Sequence, residues 1–247
     1  MKILVFDIFA PYGHFRVPYT TTSPITFPVP PKTAIAGMIG SIIGLDRLDY
    51  LNYFQNGSMR IAIKVLNPIR KTIINENFIN TKKVGVSKYF ARMKAGTSNR
   101  TQINVEFLKN PGYRLFISHK VDSIMKYLES YLVKHSTYYT LTMGLSECIA
   151  NFTYIGKFET NEKRLEEGEY IELDSILPLS VEYKLPEKLE IIEGRKLIKV
   201  KLPLELSSSR ELVMASDFLI EQDGQTIPVQ LKRYELIKNI NEKVIFF

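Results

Sequence analysis

The chain has one cysteine, Cys148, no tryptophan and only three histidines. A single thiol cannot close an internal disulfide, and a cysteine-based zinc site is excluded. That usage suits a reducing, cytoplasmic setting. The histidines, His14, His119 and His135, are isolated, and no paired carboxylate motif accompanies them, so no metal is expected. No Gly-Lys-Ser/Thr sequence marks a phosphate-binding loop, and no small-molecule cofactor is expected. The longest apolar stretch, Thr33 to Leu45, falls far short of the roughly 20 residues that a membrane helix needs, so no membrane is expected as a partner. Asp7 brings a charge too early for a signal peptide. From Asn77 through Val105 there is no acidic residue at all.

What is present is a 247-residue chain, 45% apolar, which is enough for a core and argues against disorder. Its net charge of +7 is unevenly spread. Residues 1–158 carry 20 Lys+Arg against 8 Asp+Glu, a net of +12, whereas residues 159–247 carry 13 against 18, a net of −5. A basic part joined to a mildly acidic one suggests a face for a polyanion.

Lys2 to Ala10 is apolar on both strand faces, with Ile3, Val5 and Phe9 on one and Leu4, Phe6 and Ile8 on the other. So short and apolar a run predicts a central strand covered on both sides, with Asp7 facing the sheet end or a partner. Pro11 and Gly13 mark a turn, Val17 to Phe27 is extended, and Pro28, Pro30 and Pro31 exclude helix. A helix then starts at Thr33. Gly37, Gly40 and Gly44 form a stripe along it, each costing about 1 kcal/mol relative to Ala, and close approach to a sheet is the expected compensation. They follow prolines inside a helix, which is the wrong context for a dinucleotide fingerprint.

Arg60 to Leu66 alternates as a second strand. Asn67 to Asn104 lacks helical periodicity and is too long for a bare loop, so a projecting hairpin arm at about 70–105 is expected. Strands at Gln102–Leu108 and Tyr113–Ser118 flank a Lys109-Asn110-Pro111-Gly112 turn. Asp122 should cap a helix running to Lys134, and Ile149 to Phe158 forms another strand. The charged segment Glu159 to Glu169 reads as a linker. Beyond it lie strands at Glu190–Ile192, Lys196–Leu202, Leu212–Ile220 and Gln225–Leu231, with Asp223-Gly224 as a hairpin turn. The expected fold class is α+β. A ferredoxin-like βαββαβ domain with an inserted hairpin arm would occupy residues 1–158, and a small β-rich appendage residues 159–247.

Three blocks carry a resemblance. Phe-Asp-Ile-Phe-Ala-Pro-Tyr-Gly-His-Phe-Arg (6–16), Thr-Phe-Pro-Val-Pro-Pro-Lys-Thr-Ala-Ile-Ala-Gly-Met-Ile-Gly (26–40) and Tyr-Tyr-Thr-Leu-Thr-Met-Gly-Leu-Ser-Glu-Cys (138–148) resemble the fifth Cas family. These are CRISPR-associated proteins of the RAMP superfamily, with a type I-B flavour, and the likeness covers about residues 1–158. It implies a structural subunit of the Cascade surveillance complex in antiviral defence. Such a subunit would grip the 5′ handle of the CRISPR RNA, cap the backbone filament, and meet the backbone RAMP subunit and the large subunit. Some type I-C relatives cut the CRISPR precursor without metal, using Tyr, Lys and His.

The candidate RNA contacts follow. Arg16, just past the first strand, has a planar fork suited to phosphates and base edges. His14 beside it fits either RNA contact or a structural role. Lys32 and Thr33, at the start of the glycine helix, offer an anion site, or Thr33 simply caps the helix. In the arm, Lys82, Lys83, Lys88, Arg92, Lys94 and Arg100 supply charge, while Tyr89 and Phe90 could stack on bases or pack against a neighbour. Gly144 matches the glycine loop that the resemblance implies, and fits an ordinary turn equally. The rival reading, a metal-independent endoribonuclease, would use Tyr50, His119 and Lys120. Their His-Lys order is the reverse of that expected from the type I-C relatives.

Overall fold

The protein is described from a computed structural model, which places residues 1–20, 22–55, 57–79, 100–166, 168–179, 188–189 and 193–247. It is a mixed α+β structure with mostly antiparallel sheets and few helices. The central sheet contains β1 (Lys2–Phe9), β3 (Met59–Val65), β6 (Gly112–His119) and β7 (Asn151–Glu159) in the order β3-β6-β1-β7, every pairing antiparallel. Helix α1 (Lys32–Ile43) and the short α2 (Tyr50–Phe54) lie between β1 and β3 in sequence, and α3 (Asp122–Val133) lies between β6 and β7.

The apolar run of β1 is explained by this position. Ile3 and Val5 join Ala62, Phe116, Ile237, Val244 and Phe246 beneath one face. Leu4, Phe6 and Ile8 enter the main core with α1 and α3 on the other. Phe9, at the strand end, is exposed instead. Asp7 does find a partner. Arg114, its neighbour across the ladder, donates from Nε and Nη2 to the two Asp7 oxygens at 2.7 and 2.9 Å. Arg114 Nη1 also donates to Glu242 Oε1 at 2.9 Å, and Lys64 Nζ donates to Glu242 at 2.9 Å and Asp174 at 2.8 Å. The hydrogen bond to Asp7 raises the Arg114 pKa; burial opposes it and the Glu242 charge adds to it. Burial pulls the Lys64 pKa down, but hydrogen bonds to Asp174 and Glu242 outweigh it and leave it raised.

Several expectations need correction. Helix α1 begins at Lys32 with Pro31 at its N-cap, and no side chain caps it, so Thr33 is not a cap. The backbone N–H groups of Ala34 and Ile35 donate to the Pro31 carbonyl. The glycine stripe does not meet the sheet. Gly37 and Gly40 face the Tyr50 ring, and Gly44 ends the helix at φ 80° under the Tyr138 ring. Asp122 is the first residue of α3 rather than its cap, and its charge still suits the helix N-terminus. The strand predicted at Gln102–Leu108 is β5 (Arg100–Lys109). It leaves the central sheet and pairs with β4 (Lys71–Ile79) through nine rungs, from Lys71↔Leu108 to Ile79↔Arg100. A hairpin base therefore stands where the arm was expected, and its tip, 80–99, lies outside the described residues.

The first half of the segment read as a linker is strand. β7 runs through Glu159, and β8 (Asn161–Arg164) pairs with β15 (Arg233–Ile237), which also pairs with β16 (Glu242–Val244). β12 (Leu197–Leu206) and β13 (Leu212–Glu221) pair with each other, and β10 (Leu177–Pro178) joins β13. β14 (Ile227–Gln230) pairs instead with β9 (Tyr170–Leu173) and β11 (Lys188–Leu189). Asp223-Gly224 is therefore a corner between sheets, not a hairpin turn. Gly224 sits at φ 78°, and a Cβ there would lie 2.8 Å from the Val65 carbonyl oxygen. The strand predicted at Glu190–Ile192 lies outside the described residues.

The C-terminal part packs into the same core as the rest. Ile176, Leu202, Leu204, Phe218, Ile220 and Phe247 belong to the cluster that holds Leu4, Phe6 and Ile8. Phe247 exchanges backbone hydrogen bonds with Ile61 at 2.9 and 3.0 Å, and Ile176 N–H donates to the Ile63 carbonyl at 2.8 Å. These bonds occupy edge groups of β3 that would otherwise be open. No helix among the described residues is long and apolar enough to cross a membrane.

Candidate nucleic-acid interface

The loop after β1 is drawn onto the base of the arm. The two-residue strand β2 (Tyr12–Gly13) pairs with Lys109 and Leu108 of β5. His14 follows, 2% exposed, with Nδ1 2.7 Å from the Glu106 carbonyl and its ring 5.6 Å from that of Phe107. The ring thus acts as a strut between loop and arm, not as a side chain offered to solvent. Glu106 Oε1 accepts the Thr26 N–H at 3.0 Å and Lys71 Nζ at 2.8 Å. Thr26 Oγ1 accepts the Phe15 N–H at 2.9 Å. The Tyr113 hydroxyl, its pKa raised by full burial, donates to the Pro28 carbonyl at 2.6 Å.

The third block closes the arrangement. His14 N–H donates to the Met143 carbonyl at 2.9 Å. Gly144 adopts φ 94°, and a Cβ on it would fall 1.8 Å from the His14 carbonyl oxygen. Two backbones cross there with no room for a side chain. Three blocks far apart in sequence, 6–16, 26–40 and 138–148, are thereby locked together against the base of the arm.

The remaining candidates are distributed around this assembly. Arg16 is exposed and donates from Nη2 to the Thr20 carbonyl at 3.0 Å, which holds its guanidinium beside the loop. Lys32 is buried at 6% exposure and engaged, and Thr33 is half-buried. Arg100 is exposed on the last described rung of the hairpin and also has a partner. Lys82, Lys83, Lys88, Tyr89, Phe90, Arg92 and Lys94 lie outside the described residues.

Tyr50, His119 and Lys120 are engaged as follows. His119 is 8% exposed, and its Nδ1 accepts the Val121 N–H at 3.0 Å, so Nε2 carries the proton that it donates to the Tyr53 carbonyl at 2.7 Å. Both nitrogens are committed to backbone. The Tyr50 ring lies on Gly37 and Gly40 with the Arg210 guanidinium carbon 5.9 Å from its centroid. Lys120 is exposed. Sequence reasoning did not single out Arg47, Tyr139 or Arg210. Together with Tyr50 they line a recess of about 420 Å³ over the α1 glycines. Tyr138 and Tyr139 stack edge-to-face at 4.8 Å and remain largely exposed, 62% and 49%. Their adjacency was visible in the sequence; their exposure was not. Among the described residues no group of three or more His, Cys, Asp and Glu is placed to hold a metal.

Comparison with known proteins identifies the family. The model of the CRISPR-associated protein (Cas_Cas5) family matches residues 3–212. The chain belongs to that family. No curated protein matches it in sequence. A CRISPR protein from Archaeoglobus fulgidus is similar in fold, with a TM-score of 0.56 at 15% identity over 99% of this chain and 98% of that one. So is a chain of a CRISPR RNA-guided surveillance complex, with a TM-score of 0.53 at 10% identity over 92% and 91%.

Proposed function

We propose that this protein is an RNA-binding structural subunit of a type I CRISPR surveillance complex in antiviral defence, acting in the cytoplasm. It grips the 5′ handle of the CRISPR RNA and contacts the backbone RAMP subunit and the large subunit. The observation that carries the reading is the locking of three blocks onto the base of an arm that has no acidic residue from Asn77 through Val105. The fold-level likeness to a chain of an RNA-guided complex supports it. We assign residues 1–158 as a ferredoxin-like RAMP domain, supported by the strand order β3-β6-β1-β7 with a helix in each crossover. Residues 159–247, with their net −5, act in packing and subunit contact.

In this reading Arg16 reads the handle, the arm cations hold phosphates and Tyr89 stacks on an unpaired base. Six arm cations on phosphates would give a slope of log affinity against log salt of about −4 for a single strand. Replacing Lys82, Lys83, Lys88 and Arg92 with Ala should flatten that slope for any RNA. Arg16→Ala should also reduce preference for the handle over a scrambled RNA. Titrations of both RNAs at several salt concentrations separate the two effects. An unchanged slope in the folded quadruple variant would refute RNA contact by the arm.

A further inference from the structure

A groove of about 830 Å³ lies between the turn after the first strand and the C-terminal sheet. One wall is Val17, Tyr19 and Ile25; the other is β12, with Leu212 of β13 at its rim. The walls are tied at the floor, where Ile69 N–H donates to the Gln222 carbonyl at 2.7 Å and Lys71 Nζ donates to the Thr26 carbonyl at 2.9 Å. Tyr19 is 81% exposed and Leu212 55%, so much apolar surface faces water. Such a surface marks a site for another molecule.

The lining of β12 says what kind. Ile198, Lys199, Val200 and Lys201 all face the groove. Successive side chains alternate across a strand, so a groove lined by four consecutive residues runs along the strand's edge. β12 is the outer strand of the sheet β10-β13-β12, and in an antiparallel pair every second residue points its N–H and C=O away from the partner. Across the groove, the backbone is already occupied. Ile25 O accepts from Val17, Phe27 N–H donates to Phe15, and Pro28 O accepts from Tyr113. Among the described residues that line the groove, only the β12 edge therefore offers a ladder, and Pro203 ends it.

Charge selects the occupant. Lys199 binds Asp217 of β13 at 2.9 Å, and Lys201, on the rung opposite Asp217, adds a second cation beside that one carboxylate. The floor is aliphatic, and among the described residues Tyr19 is the single exposed aromatic of the lining, where a strand of bases would stack on several. We infer that this groove receives an extended peptide segment of a partner protein, alternating apolar and acidic, which adds a strand to the edge of β12. This goes beyond the RNA-binding role and does not require it.

The test uses the full chain and fluorescein-labelled decapeptides: alternating Val/Glu, the same with Lys for Glu, and the Val/Glu peptide N-methylated at alternate residues. Fluorescence anisotropy should show the Val/Glu peptide binding at least about tenfold more tightly than either of the others. Lys201→Glu should remove that preference while leaving RNA affinity unchanged, so loss of RNA binding in the parent protein would not bear on this result. Equal binding of all three peptides, binding indifferent to Lys201→Glu, or displacement of the peptide by a single-stranded RNA would overturn the proposal.

Discussion

Gly144→Ala tests the crossing on which the proposed interface depends. Two costs combine. A residue with a Cβ at φ 94° carries backbone strain of about 1–2 kcal/mol. The new methyl would also sit 1.8 Å from the His14 carbonyl oxygen, so the loops must part. Parting them breaks the 2.9 Å bond from His14 N–H to Met143 O, and leaving those buried groups unpaired costs about 1–3 kcal/mol. A total near 3 kcal/mol should lower Tm by about 6–12 °C in a chain of this size. The control is Gly57→Ala. Gly57 is at φ 62° with nothing within 4 Å of a Cβ, so only the strain applies, about 1 kcal/mol. Thermal unfolding followed by circular dichroism measures both variants. Equal losses would show that the crossing carries no energy of its own, and a Gly144→Ala loss under about 0.5 kcal/mol would refute the argument entirely.

Glu242→Gln should cost about 2 kcal/mol in guanidinium unfolding, because it weakens an acceptor shared by Lys64 and Arg114; a near-neutral result would mean that water already screens the network. A fragment ending at residue 158 should fail to fold, since it strips Ile176, Leu202, Phe218 and Phe247 from the main core; a cooperative thermal transition from that fragment would contradict this. Burial, followed by the Glu147 charge, pushes the Cys148 thiol up to about 11. Its folded pKa lies above the ordinary thiol value of 9.0, so its contribution to stability is intact below pH 9 and is lost as pH rises through about 11. At pH 8 it should resist iodoacetamide until denaturant is added; rapid alkylation of folded protein, read by mass spectrometry, would count against it. Repeat-containing RNA should not be cut specifically, with or without magnesium; metal-free cleavage abolished by His119→Ala would establish the rival reading and require His119 to leave Tyr53 and Val121.

Local chemistry was enough for part of this protein. The unalternating run Ile3–Ile8 could only be a strand covered on both faces, and the three prolines before Lys32 could only delay a helix. The absence of acid from Asn77 to Val105 marked the arm. The resemblance of three blocks pointed to the family, whose model matches residues 3–212. Tertiary structure decided what those residues touch. A glycine stripe specifies that something comes close, and only the fold supplies Tyr50 and Tyr138 in place of a sheet. His14 carries no mark of burial in its own neighbourhood; Glu106 and Phe107, about ninety residues later, enclose it. The charged run after Glu159 has the composition of a linker, yet it becomes a strand because β15 lies alongside to pair with it. Strand pairing and burial are set by residues remote in sequence, and their energies exceed the local preferences from which a chain is first read.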